Sequence, residues 1–144
     1  MSENAPLRPG TPGWQQEHVR RYQATDGEDG YMWNGAPILL LTTTGRKSGT
    51  QYTTPLIFGE DNGRYLIVGS RGGAETHAQW YLNLSKNPEV GLQVKGDKFR
   101  ARAHTADAAE KAALWSVMTK IWPAYDDYQK RTQRVIPLIV LERV

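Results

Sequence analysis

The segment Gly45-Arg46-Lys47-Ser48-Gly49 combines the chain's most specific set of chemical groups. Its two glycines permit tight backbone geometry in which successive N–H groups converge. Arg46 adds a planar fork, Lys47 a point charge, and Ser48 and Thr50 add hydroxyls. A phosphate mono- or diester needs such a set. The spacing is not the Gly-x-x-x-x-Gly-Lys-Ser/Thr of a triphosphate loop, and the segment leads into a strand instead of a helix, which disfavours triphosphate hydrolysis. A solvated hairpin tip would use the same residue types, so the loop by itself leaves both readings open.

A second glycine-bearing connection, Ser70-Arg71-Gly72-Gly73, follows a strand and precedes a helix. Free N–H groups there favour an anion or a polarised ring carbonyl. Trp80 and Asn83 lie one helical turn apart and pair a stacking face with an amide that both donates and accepts, which suits a heteroaromatic ring. Taken alone, Trp80 is also the kind of side chain that fills a core. Tyr125 and Tyr128 follow Pro123 and are expected on a bend that closes over a pocket, their phenols able to orient an acceptor or donate a proton. His77 reads as structural. No serine has the setting of a nucleophile elbow, and Glu75 is the sole carboxylate close to His77 in sequence, so covalent hydrolysis is not expected.

These groups must be carried by elements, and hydrophobic periodicity supplies them. A helix is expected from Pro12, capped by Thr11, to about Ala24, with Trp14, His18, Arg21 and Tyr22 at helical spacing. Strands are expected over Ile38 to Thr43, Tyr52 to Phe58, Tyr65 to Gly69, Val90 to Val94, Phe99 to His104 and Ile136 to Leu141. Pro55 restricts the second of them to an edge or bulge. Two further helices are expected, Glu75 to Lys86 and Asp107 to Ile121, the latter opened by a capping box of Asp107 with Glu110. Consecutive antiparallel strands with few helical crossings exclude a parallel nucleotide-binding sheet. The expected fold is mainly β (α+β), a six-stranded antiparallel closed or split β-barrel with about three helices.

Composition narrows the class. The 144 residues suit one globular unit, here a helix and linker over residues 1–35, packed on or over the pocket, followed by a barrel over 36–144. The chain has no cysteine, and His18, His77 and His104 lack metal-ligand spacing, so no metal is expected. With no stretch of about 20 apolar residues and no apolar leader core, the expected location is cytoplasmic. Peripheral contact with the inner face of the membrane, through the first helix, is the lesser reading. A net charge of +3 suits an anionic ligand, a nucleic acid or an acidic surface about equally.

Read together, Leu39 through Gly49 with its Thr-Thr-Thr-Gly-Arg-Lys-Ser-Gly block, Thr54-Pro55-Leu56, Ser70-Arg71-Gly72-Gly73-Ala74, Trp80-Tyr81-Leu82-Asn83-Leu84, Asn87-Pro88, Pro123-Ala124-Tyr125 and Ile136-Pro137 resemble the deazaflavin-dependent nitroreductase family of actinobacteria. The resemblance covers roughly residues 36–142. It implies a split β-barrel that binds coenzyme F420, whose deazaflavin ring carries a ribityl-type chain, a phosphodiester lactyl link and an oligoglutamate tail. It further implies that Arg46, Lys47 and Ser48 hold the phosphate, with Tyr52 standing where many relatives have an arginine. Thr53, Thr54, Pro55, Leu56 and Ile57 would line the ring on one side. Val68, Gly69, Ser70 and Arg71 would line the other, with Gln79, Trp80, Tyr81, Leu82 and Asn83 supplied by the helix. Trp122, Tyr125 and Tyr128 would face the acceptor, Tyr125 and Ser70 being the expected catalytic pair. The implied reaction is hydride transfer from reduced F420 to a quinone, nitroaromatic or unsaturated lactone. Flavin mononucleotide on the same barrel and a non-enzymatic barrel for single-stranded nucleic acid are the rival readings; the resemblance favours a small-molecule acceptor and no nucleic acid.

Overall fold

The computed structural model describes residues 13–144. Thr11 and Pro12, the expected start of the first helix, lie outside them. The described chain runs α1 (Trp14–Thr25), β1 (Met32–Trp33), β2 (Ala36–Thr44), β3 (Gln51–Ile57), β4 (Gly59–Asp61), β5 (Arg64–Val68), a 3-10 turn (Arg71–Gly73), α2 (Gln79–Lys86), β6 (Glu89–Val94), β7 (Asp97–Thr105), α3 (Ala108–Ile121), α4 (Ala124–Lys130) and β8 (Leu138–Arg143). The fold is the expected α+β split barrel, one antiparallel sheet curled into a half-barrel. Its strand order is β1-β2-β6-β7-β8-β5-β4, with β3 on β2.

The sheet has eight strands against the six expected. Both additions are very short arms of hairpins. β1 turns into β2 through Asn34 and Gly35, at φ 49° and 81°, and β4 turns into β5 through Asn62 and Gly63, at φ 52° and 76°. Both turn positions of each pair are left-handed, the geometry that an Asn-Gly hairpin turn requires. Runs of two and three residues carry no readable alternation, so only the turns signalled them.

The described residues form four α-helices. Tyr125 and Tyr128 stand on one of them, α4, and not on an irregular bend, because Pro123 tolerates the first turn of a helix as well as it ends the one before. α2 starts at Gln79, four residues later than expected: Ala78 is extended at ψ 147°, which leaves His77 outside the helix. α3 is capped as expected, Asp107 accepting from the Glu110 N–H at 2.8 Å. The Glu110 carboxylate completes no box and instead reaches His104 at 2.9 Å and Arg64 at 3.6 Å.

Alternate residues of β5 and β8 fill two apolar layers on opposite faces of the sheet. Ile67, Ile139 and Leu141 join Leu39, Leu41, Leu92 and Leu84 of α2. Leu66, Val68, Leu138 and Val140 pack under Leu114 and Met118 of α3 and Tyr125 of α4. α1 docks through Tyr22, fully buried, whose hydroxyl donates to the Ile38 carbonyl at 2.9 Å and accepts from the Lys95 N–H at 2.7 Å.

The barrel is split on one side. β3 pairs with β2 alone and β5 with β4 and β8, so β3 and β5 approach each other without forming a ladder. Pro55, which has no N–H to give, sits on this edge strand, as its chemistry demands.

Candidate active site

A cleft of about 960 Å³ opens along the split. Every residue of β3 lines it, and Val68, Ser70 and Arg71 close it from the end of β5. A seven-residue strand gives it a run of roughly 20 Å at about 3.3 Å per residue. The hairpin loop Gly45 to Gly49 marks one end. At the other, Ile57, Trp122 and Tyr128 pack against the same buried cluster.

The loop is pre-shaped. The Gly45 N–H donates to the Thr50 carbonyl at 2.7 Å, Gly49 returns its N–H to the Gly45 carbonyl at 3.0 Å with φ 75°, and the Ser48 Oγ accepts from the Thr50 N–H at 3.2 Å. The Tyr52 ring lies so close that a side chain at Gly45 would meet it at 3.0 Å. α2 braces the loop from behind: Asn83 Oδ1 accepts from both the Arg46 N–H (3.2 Å) and its guanidinium (2.8 Å), and Gln79 Oε1 accepts from the guanidinium at 3.1 Å. The Asn83 carbonyl oxygen, expected to read a ring, is thus committed to aiming Arg46. Asn87 adds a bond from its amide to the Thr44 carbonyl at 3.3 Å.

At the far end the walls are aromatic and come from four elements. Trp14 of α1 and Trp33 of β1 stack with centroids 6.2 Å apart, Trp33 meets Trp122 at 5.4 Å, and the Trp122 indole N–H donates to the Tyr128 hydroxyl at 3.3 Å. Tyr125 of α4, only 5% exposed, lines the cleft, and its hydroxyl has no hydrogen-bond partner among the described residues. Burial first, and the neighbouring Tyr128 second, push its pKa well above the ordinary phenol value, so the group stays a protonated donor.

Of the residues singled out from sequence, Arg46, Lys47, Ser48, Tyr52, Thr53, Thr54, Pro55, Leu56, Ile57, Val68, Ser70, Arg71, Gln79, Trp80, Asn83, Trp122, Tyr125 and Tyr128 all line the one cleft. Three do not. Gly69 packs against Pro137, Tyr81 stacks on His77 with centroids 4.8 Å apart, and Leu82 lies on a side of α2 away from the cleft wall. Thr53 spends its hydroxyl on Thr42 at 2.8 Å. Sequence reasoning missed Trp14, His18, Trp33 and Ile38 as cleft residues. The helical spacing of Trp14 and His18 placed a buried face there; nothing local marked Trp33. His18 Nε2 bonds the Gly30 carbonyl at 2.7 Å, while its Nδ1 is buried without a partner.

Among the described residues no group of His, Asp or Glu is placed to hold a metal ion, and no helix is long and apolar enough to cross a membrane. The donor set suits a long, anionic, ring-bearing ligand. Basic and hydroxyl donors gather at one end, Trp80 and the open edge of β3 line the wall, and flat side chains close the far end.

Residues 14–143 match the family described as F420H(2)-dependent quinone reductase. The chain belongs to that family. It is an oxidoreductase whose cofactor is reduced coenzyme F420. An F420H(2)-dependent quinone reductase of Mycobacterium tuberculosis is 38% identical over 130 residues, spanning 88% of this chain and 87% of the relative. A solved F420H2-dependent reductase is 37% identical, covers 74% of this chain and 94% of its own, and superposes with a TM-score of 0.69. A second solved structure, described as a domain-swapped dimer, is 34% identical over 88% of this chain and 96% of its own, with a TM-score of 0.71.

Proposed function

We propose that this F420H2-dependent reductase holds the coenzyme's phosphodiester at Arg46, Lys47 and Ser48, its ring between β3 and Trp80, and a quinone against Trp33, Trp122, Tyr125 and Tyr128. The carrying observation is that a single cleft joins the braced basic loop at one end to an unpaired, buried phenol at the other. Bound reduced F420 supplies a two-electron hydride from carbon. The chain's own work is positioning and charge. Arg46 enters the site already oriented by two amides, so little order is lost on binding. The Trp122, Tyr125 and Tyr128 wall excludes water and keeps a planar acceptor flat. Tyr125 donates a hydrogen bond to the acceptor oxygen on which negative charge grows, and Ser70 donates a second. Because Tyr125 resists ionisation, it acts by hydrogen bonding, and the final proton reaches the product from solvent.

Titrating the protein separately with reduced F420 and with flavin mononucleotide, followed by fluorescence and then by menadione addition, tests the reading. Tight F420 binding and menadione-dependent oxidation are expected; tight binding of flavin mononucleotide alone overturns it. Tyr125→Phe and Ser70→Ala are each expected to lower kcat/KM roughly 10- to 100-fold. Unchanged turnover of every acceptor in both variants removes their assigned roles.

A further inference from the structure

Behind the Ser70 loop, on the side away from the cleft, stands Arg134. It precedes β8 and is not among the residues that line the cleft. Its guanidinium nevertheless makes four contacts there: Nε donates to the Ala74 carbonyl at 2.8 Å, Nη1 to the Gly69 carbonyl at 3.2 Å and to His77 Nδ1 at 3.1 Å, and Nη2 to the Ser70 carbonyl at 2.7 Å. A planar fork with five N–H donors spans spread acceptors in fixed directions, which the compact ammonium of a lysine matches less well. Its own backbone is fixed by α4, since the Gln129 side chain donates to the Arg134 carbonyl at 2.8 Å and accepts from the Ile136 N–H at 2.9 Å.

The carbonyls of Gly69 and Ser70 determine where two N–H groups point; the Ser70 carbonyl is shared between Arg134 and the Gly73 N–H at 2.9 Å, while Arg134 is the partner of the Gly69 carbonyl among the described residues. In a trans peptide the C=O and N–H are antiparallel across one plane. The Gly69 carbonyl shares its plane with the Ser70 N–H, and the Ser70 carbonyl shares its plane with the Arg71 N–H. With both carbonyls drawn towards Arg134, both N–H groups point away from it, and Ser70 and Arg71 line the cleft together with Gly72. Neither N–H has a hydrogen-bond partner among the described residues. Resting on the proposed use of the cleft, we infer that Arg134 is a positioning residue that aims the backbone N–H groups of Ser70 and Arg71 at an electron-rich oxygen of the bound ring system. Through Gln129 it ties that donor pair to the helix that carries Tyr125, so one residue links the two sides of the reacting end.

Two pairs of variants test this by the Kd for F420, read from its fluorescence, beside thermal unfolding and menadione kinetics. Ser70 lies at φ −73°, a value proline accepts, so Ser70→Pro deletes the N–H as well as the hydroxyl, whereas Ser70→Ala deletes the hydroxyl alone. Ser70→Pro is expected to raise the Kd at least fivefold above that of Ser70→Ala. Arg134→Gln is expected to raise it at least tenfold, with Arg134→Lys recovering part of the loss. Simple destabilisation would shrink the folded fraction and leave the Kd of folded protein unchanged. Equal Kd values for the two Ser70 variants, or a folded Arg134→Gln protein within twofold of the parent, overturn the inference. If Arg134→Gln does not fold, the Ser70 pair decides. Failure of the parent itself to bind F420 refutes instead the function on which the inference rests.

Discussion

At the scale of single residues, the site depends on side chains that are held before any ligand arrives. Arg46 has amide oxygens from Asn83 and Gln79 around its guanidinium, so its fork already faces one way. Arg46→Lys keeps the charge but loses that fit, and the Kd for F420 is expected to rise roughly tenfold in a binding titration. Asn83→Leu leaves Arg46 chemically intact but unaimed, and should weaken F420 in the same direction; a variant that binds like the parent shows that the brace is dispensable. Tyr125 gives a pH prediction. Its pKa is raised by burial and then by Tyr128, so no loss of kcat from Tyr125 ionisation is expected through pH 7 to about 10, the ordinary phenol value. The alkaline limb of the Tyr125→Phe profile should match that of the parent. The spacing of Trp80 and Asn83 on one helical face was legible in the sequence, but the partner of the Asn83 amide was not. That partner lies 37 residues away, and only the folding of α2 against the β2–β3 turn brings the two together.

At the scale of elements, the connection after β5 is the one most exposed to small changes. Gly73 combines φ 83° with space for no side chain: an added Cβ would sit 2.9 Å from the Tyr128 carbonyl oxygen and 3.1 Å from Arg131. Gly72 next to it has φ 64° but nothing within 4 Å. Gly72→Ala is therefore expected to cost about 1–2 kcal/mol of stability from backbone strain alone, and Gly73→Ala about 2–4 kcal/mol, since overpacking against α4 adds to the same strain. Denaturant titration measures the difference. His77 adds a titration to this region. Burial, and then the nearby Arg134, lower its pKa below the ordinary imidazole value, and its Nδ1 accepts from Arg134 while the ring stacks on Tyr81. The native state thus binds fewer protons here than the unfolded chain. The associated stability is present above about pH 6.5 and is lost as pH falls through the lowered folded pKa. Thermal midpoints are expected to drop between pH 7 and 5 in the parent and to drop less in His77→Gln, which keeps an acceptor without titrating. The helices with long apolar stripes could be read from sequence within a few residues. α4 could not, because a seven-residue helix behind a proline has the same local pattern as a turn.

For the whole molecule, the decisive feature is the seam where β3 and β5 fail to pair, since it turns a barrel wall into a cleft whose far end is built by α1, β1, α3 and α4 together. Trp33 shows what that means. Lying between Trp14 and Trp122, it belongs to the aromatic wall proposed for the acceptor, at the end of β3 opposite the basic loop. Trp33→Ala is expected to raise the KM for menadione at least fivefold while the Kd for F420 stays within twofold; the reverse pattern in steady-state and binding data would place Trp33 on the cofactor. The amino-acid sequence alone determined the strand and helix inventory in outline, the edge position of Pro55, the basic and hydroxyl donors of the Gly45 to Gly49 loop and most residues of the cleft. Those properties follow from local periodicity, from backbone restrictions and from a block of residues specific enough to carry a resemblance. Only the tertiary structure decided which of those residues share a wall, that Asn83 serves Arg46, that Gly69, Tyr81 and Leu82 turn away, and that Trp33 and Arg134 matter at all. Most of these are contacts across tens of residues, settled by how the sheet curls and where its ladder stops, and no short stretch of sequence contains that information.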